Sequence, residues 1–114
     1  MKRLLAIVPA VLALAACGSP GEPSRNASQP LVYLRSARSA SSISACLESR
    51  LARVRATIVG NETELAVGSD SDTAYFVTLT PLADGAVVKV MRPAHASDDP
   101  PEPELRFDIA RCTT

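Results

Sequence analysis

The stretch KRLLAIVPAVLALAAC, from Lys2 to Cys17, limits how much of this 114-residue chain is available for a folded core. Lys2 and Arg3 form a short positive region, and Leu4 to Leu14 form an eleven-residue apolar run. A membrane-spanning helix needs about twenty apolar residues. This run is too short and contains Pro9, so it has the form of a secretory signal that takes no part in the fold. Residues 19–30, SPGEPSRNASQP, hold three prolines and no strong apolar residue. They cannot bury enough surface to offset the entropy of ordering and are expected to act as a flexible tether. Roughly 84 residues then remain for one domain, near the size at which a single core is marginal. With no Trp, two Tyr and two Phe, that core must come from Val, Leu, Ile and Ala.

Leu14-Ala15-Ala16-Cys17 resembles the lipobox of bacterial lipoproteins. The resemblance covers about the first seventeen residues. It implies that the Cys17 thiol takes a diacylglyceryl group, that a signal peptidase cuts between Ala16 and Cys17, and that the new amino terminus is acylated with a palmitate-class chain. Small residues before the cysteine let an extended backbone enter the peptidase. Several acyl chains on one residue anchor stably, because each buried methylene contributes about 0.8 kcal/mol and one chain alone binds only marginally. Residue 18 is Gly rather than the Asp that holds such proteins at the inner membrane, so the resemblance implies an outer-membrane protein facing the periplasm. An ordinary secretory signal cut at Ala16 is the alternative. The expected organisation is a signal peptide over 1–16, a lipidated Cys17 and tether over 17–30, and a domain over 31–114.

With Cys17 lipidated, Cys46 and Cys112 remain, an even pair in an oxidising compartment, which favours a disulfide. The chain-entropy model assigns a crosslink of this span about 4 kcal/mol. Two free thiols are the alternative. A nucleophilic one would want a His base, and the single His, His95, falls in a Pro/Asp-rich stretch.

The formal charge is zero, and loss of Lys2 and Arg3 leaves the mature chain near −2. Residues 31–58 carry five Arg and one Glu, whereas residues 59–104 carry nine acids against Lys89 and Arg92. No basic domain with groove-reading elements is present, so nucleic acid is not an expected partner. The asymmetry is expected to reflect segments that interleave in the fold and pair their charges. A polarised surface is the other outcome.

The domain is expected to be α+β. Leu31 to Leu34, LVYL, reads as an edge strand or a lead-in that packs on the core. Ile43, Leu47, Leu51 and Val54 recur at helical intervals with Cys46 on the same face, which predicts a helix over 40–53 with Ser39 or Ser41 as its cap. The period then changes to two. Val54–Val59, Thr63–Gly68, Thr73–Thr80 and Ala86–Arg92 read as short strands separated by Gly-Asn, Ser-Asp and Pro-Asp-Gly turns. Such spacing predicts an antiparallel meander of three to four strands with the helix on one face. Residues 93–104, PAHASDDPPEPE, read as an acidic, Pro-rich loop. In the last segment Leu105, Phe107 and Ile109 alternate like a strand, while Leu105, Ile109 and Cys112 recur like a helix. Pro103, Glu102 and Glu104 suit a helix start and favour the second form. Either form returns Cys112 to the first helix. This layout resembles that of small uncharacterised envelope lipoproteins of Gram-negative bacteria, some of which bear the name of a sugar-transporter ATPase. No G-x-x-x-x-G-K-[ST] loop supports that activity here.

No catalytic constellation stands out, so the protein is expected not to be an enzyme and to need no cofactor. One His and two paired Cys do not make a tetrahedral metal site. The acids at Asp70/Asp72 and Asp98/Asp99/Glu102/Glu104 match no calcium loop and read as solvated turns. The many serines lack a G-x-S-x-G elbow. Arg35, Arg38, Arg50, Arg53 and Arg55 have the forked geometry that suits phosphates or carboxylates, or they line solvated helix and strand edges. The expectation is a lipid-anchored envelope lipoprotein, joined to the membrane through Cys17, with a binding or structural role and an envelope protein as partner. The alternative is an inhibitor or accessory subunit that recognises one protein through an exposed edge strand or the acidic loop.

Overall fold

A computed structural model describes residues 29–114. The leader, the Ala16–Cys17 cleavage point and the lipidation site lie outside the described residues, as does all of the tether but Gln29 and Pro30. In chain order the elements are β1 (Val32–Ser36), α1 (Ala40–Arg50), β2 (Val54–Val59), β3 (Glu62–Ser69), β4 (Asp72–Leu82), β5 (Gly85–Met91) and α2 (Glu102–Thr113). The strands form one antiparallel sheet in the order β1-β5-β4-β3-β2. The expected meander is therefore β2 to β5, and the sheet has five strands rather than three to four. The added strand is β1, built from the LVYL run, which pairs with β5 from Val32↔Val90 to Ser36↔Ala86. Its alternation was too short to distinguish a paired strand from a lead-in.

Because β1 and β2 occupy opposite edges, α1 must carry the chain across the whole sheet. One face of the sheet supplies the core. Leu65 and Val67 of β3, Tyr75, Val77 and Leu79 of β4, and Ala86, Val88 and Val90 of β5 are all buried. Against them pack Ile43, Leu47 and Leu51 from α1 and Leu105, Ile109 and Cys112 from α2. The helices cover this face and leave the other open, as an antiparallel sheet with alternating residues allows.

Helix α1 begins where expected. The Ser39 side chain accepts from the Ser42 N–H at 3.1 Å. It ends at Arg50, three residues before the expected 53, because Leu51 is already extended at φ −99°, ψ 145°. Val54, the last member of the helical pattern, instead opens β2. The final segment is a helix. Pro101 caps it, Glu102 and Glu104 occupy the first turn, and Leu105, Ile109 and Cys112 share the buried face. A strand would have buried Phe107 beside Leu105 and Ile109, but Phe107 is 56% exposed.

Backbone geometry requires glycine at Gly60 and at Gly85. Gly60, at φ +65°, makes the two-residue turn between β2 and β3. Gly85, at φ +153°, lies so close to the end of β1 that a Cβ would collide with the Ser36 carbonyl.

Cys46 of α1 and Cys112 of α2 are joined by a disulfide with a Cα–Cα distance of 5.6 Å. Hydrogen bonds continue the clamp on either side. Ser36 Oγ donates to the Thr113 carbonyl at 2.6 Å, and Arg38 Nη1 donates to the Cys112 carbonyl at 3.1 Å. These are carbonyls of the last helical turn, which have no partner within a helix, and a cation there also suits the dipole. Arg50 Nε donates to the buried Asp108 carboxylate at 2.8 Å, which ties the helices together a second time.

The disulfide is the only covalent tie among these contacts. Replacing both Cys46 and Cys112 by Ala is expected to lower stability by about 2–5 kcal/mol, read as a lower midpoint in urea unfolding. A midpoint unchanged from that of the oxidised protein would show that the crosslink does not stabilise the fold.

Candidate functional site

The residues expected to bear chemistry fall in three places. The lipidation and cleavage residues, Cys17 and Ala16, are outside the described residues. Cys46 and Cys112 meet in the disulfide. The arginines and acids of opposite charge interleave, as expected, rather than forming two poles. Arg35 lies 3.7 Å from Asp84, Arg53 lies 3.5 Å from Asp99, and Arg55 lies 3.2 Å from Asp70. Most of these side chains are well exposed, so each pair contributes little to stability. Each of these three arginines nonetheless has an acid beside it. Among the described residues, no three His, Cys, Asp or Glu side chains converge as metal ligands would. No described helix is long and apolar enough to cross a membrane.

The acidic loop was one of the two expected contact surfaces. It is held down at several points. Tyr75 is fully buried in β4, and its hydroxyl donates to the Pro100 carbonyl at 2.8 Å. The Arg92 guanidinium lies over the Tyr75 ring, 5.3 Å from its centroid. Its Nη2 donates to the Ser97 carbonyl at 3.0 Å and makes a short contact with the Asp98 carboxylate. Glu102 is 3.9 Å from Arg92 and 2.8 Å from Arg106, and Arg106 in turn donates to the Leu31 carbonyl at 3.1 Å. The loop thus links the end of β5, the start of α2 and the point where the chain enters β1. Much of its acidity is matched internally. Nothing in the sequence pointed to Tyr75 as a residue that holds it, because its partner, the Pro100 carbonyl, is distant in sequence, whereas the partners of Arg92, the Ser97 carbonyl and the Asp98 carboxylate, lie just beyond it in the chain.

A cleft lies beside this loop, lined by Leu51, Arg53, Val67, Gly68, Asp99 and Pro100. Its volume is about 70 Å³. Pockets that take small organic ligands are several times larger.

A second open surface is the outer edge of β2. Gly68 N donates to the Arg53 carbonyl at 3.0 Å, and the register runs from Val54↔Val67 to Val59↔Glu62. In an antiparallel ladder, bonded and non-bonded pairs alternate. Arg55, Thr57 and Val59 therefore turn their N–H and C=O groups to β3, and Val54, Ala56 and Ile58 turn theirs outward. These outward groups have no partner among the described residues. The side chains are open as well. Ile58 is 70% exposed and Val59 is 55% exposed. Ile58 points to the helix-covered side of the sheet, but the helices do not extend over it. From Ala56 to Val59 the edge has no charge and no proline, the usual devices that protect such an edge. The sequence showed β2 as a strand. Its place at the edge follows from sheet order, which alternation does not encode.

Comparison with protein-family models, with curated proteins and with solved structures finds no match.

Burial pushes the Tyr75 hydroxyl above the ordinary phenol range, against the opposing pull of Arg92. The folded state therefore holds this proton more tightly than the unfolded chain. The stabilisation from the protonated hydroxyl is complete below about pH 10 and is lost as pH rises through the folded-state value. Tyr75→Phe is expected to cost about 1 kcal/mol near neutral pH, through loss of the bond to Pro100. It should also flatten the decline in stability above about pH 10, read from urea midpoints across the alkaline range. A variant whose alkaline decline is as steep as the parent's would contradict this role.

Proposed function

We propose that the protein is a lipid-anchored lipoprotein of the outer membrane that acts by binding or structural support and not by turnover. The leader and Cys17 provide the address. The observation that carries the reading of the domain is the open β2 edge, where Ile58 and Val59 are exposed beside unpaired backbone groups. Recognition by strand addition uses such an edge, with main-chain bonds for affinity and alternate side chains for specificity.

The edge also favours recognition of another protein over recognition of lipid. The chain enters the domain at Leu31, next to the end of β5. The exposed half of β2 and its turn with β3 lie at the other end of the sheet, as the register shows. An anchor at Cys17 would attach at the first end and leave the β2 tip pointing away from it. The acidic loop is a poorer contact surface, because Tyr75, Arg92 and Arg53 already hold it.

Cys17→Ala is expected to move the full-length protein from the membrane fraction to the soluble envelope fraction, with the Cys46–Cys112 bond intact. A protein that stays in the membrane fraction without Cys17 would overturn the anchor. Turnover abolished by a single point substitution would overturn the binding role.

A further inference from the structure

We propose that the β2 edge is occupied by the β2 edge of a second copy, in a two-fold antiparallel pairing centred on Ala56 that continues the sheet across both molecules. The inference deepens the reading just given and rests on it, since it names the partner of the same edge.

Three features of the edge fit a second copy. The first is register. The outward backbone groups belong to Val54, Ala56 and Ile58, an odd set with Ala56 in the middle. A two-fold axis at Ala56 sets Ala56 opposite Ala56, and Val54 opposite Ile58, in both directions. Every outward N–H and C=O of the three residues then finds a partner. An isologous interface requires this self-complementarity.

The second feature is shape. On the helix-covered side, Val54 is half-buried, Ala56 is small, and Ile58 is large and exposed. The pairing lays Ile58 of each copy beside the small Ala56 and against Val54 of the other. The exposed apolar side chain is covered where the edge has room for it.

The third feature is charge. Arg53 and Arg55 mark the start of β2, while Glu62 and Glu64 sit on β3 beside its end, opposite Val59 and Thr57. The antiparallel pairing sets Arg55 opposite Thr57 of the second copy, with Glu64 one strand further on. It sets Arg53 opposite Val59 of the second copy, with Glu62 one strand further on. Arg53 and Arg55 already have Asp99 and Asp70 beside them, so the charge argument is one of compatibility: the pairing brings acids to the basic ends and sets no like charges directly opposite. An edge of six residues is a small interface. Anchoring both copies in one membrane would raise their effective concentration and so favour a pairing that is weak in dilute solution.

The test uses the full-length chain in cells, with Ile58 replaced by the photo-crosslinking residue p-benzoylphenylalanine. The expected product has twice the mass of the chain, with the adduct mapping to residues 54–56 of the second copy. Ala56→Cys should form a disulfide-linked homodimer, because the paired Cα atoms would lie within disulfide range, and Thr57→Cys should not. Ala56→Pro removes an outward N–H and no bond to β3, so it should keep the fold and lose the Ile58 adduct. Ile58→Lys in the Ala56→Cys background should likewise abolish the homodimer and serves if the proline variant does not fold. An adduct formed only with a different protein would overturn the second-copy proposal and leave the docking edge standing. The absence of any adduct, with Ala56→Cys monomeric, would overturn both.

Discussion

The disulfide between Cys46 and Cys112 fixes the one relation on which the rest of the domain depends, the placement of two helices on the same face of a sheet. The core they complete has one buried aromatic ring, Tyr75, and is otherwise aliphatic apart from the cystine itself. A core of this size does not leave a large margin over conformational entropy. The crosslink joins points 66 residues apart, so it limits most of the unfolded chain at once. It also sits between Arg38 and Ser36 on one side and the Arg50–Asp108 pair on the other, so the covalent tie and the polar contacts hold the same helix pair.

The same arrangement explains the distribution of charge. The basic segment comprises β1, α1 and β2, whereas the acidic one comprises β3, the turns and the Pro-rich loop. Since β1 and β2 take opposite edges and α1 crosses between them, the arginines are carried to both ends of the sheet. There they meet Asp84, Asp70 and Asp99. The acidic loop is tied to the core through Tyr75 and Arg92 and to the entry of the chain through Arg106. The β2 edge lies beyond the reach of either helix, and there Ile58 and Val59 are exposed.

Much of this was legible in the residues. The helical spacing of Ile43, Leu47 and Leu51 found α1, the cap is Ser39, one of the two serines that suited it, and the change of period to two found the four strands from β2 to β5. The pairing of Cys46 with Cys112 followed from counting cysteines once Cys17 was set apart. The fifth strand was less visible because LVYL is too short to show its pairing. Val54 was misleading because a residue at helical spacing also began a strand, and the chain turned at Leu51 instead. The fate of the last segment could be decided only by what lay against it, since Leu105 and Ile109 fit both periods. The edge position of β2 and the role of Tyr75 depend on contacts between distant segments, which local pattern does not record.

The domain is closed by one disulfide, and we propose that it is tied to the membrane through a separate cysteine, Cys17. The most direct test is the intact mass of the protein extracted from membranes, before and after reduction and alkylation. The account predicts a chain that begins at Cys17 and carries lipid, with two alkyl groups added only after reduction. Alkylation of Cys46 and Cys112 without reduction would contradict the closed domain, and an unlipidated mass would contradict the anchor.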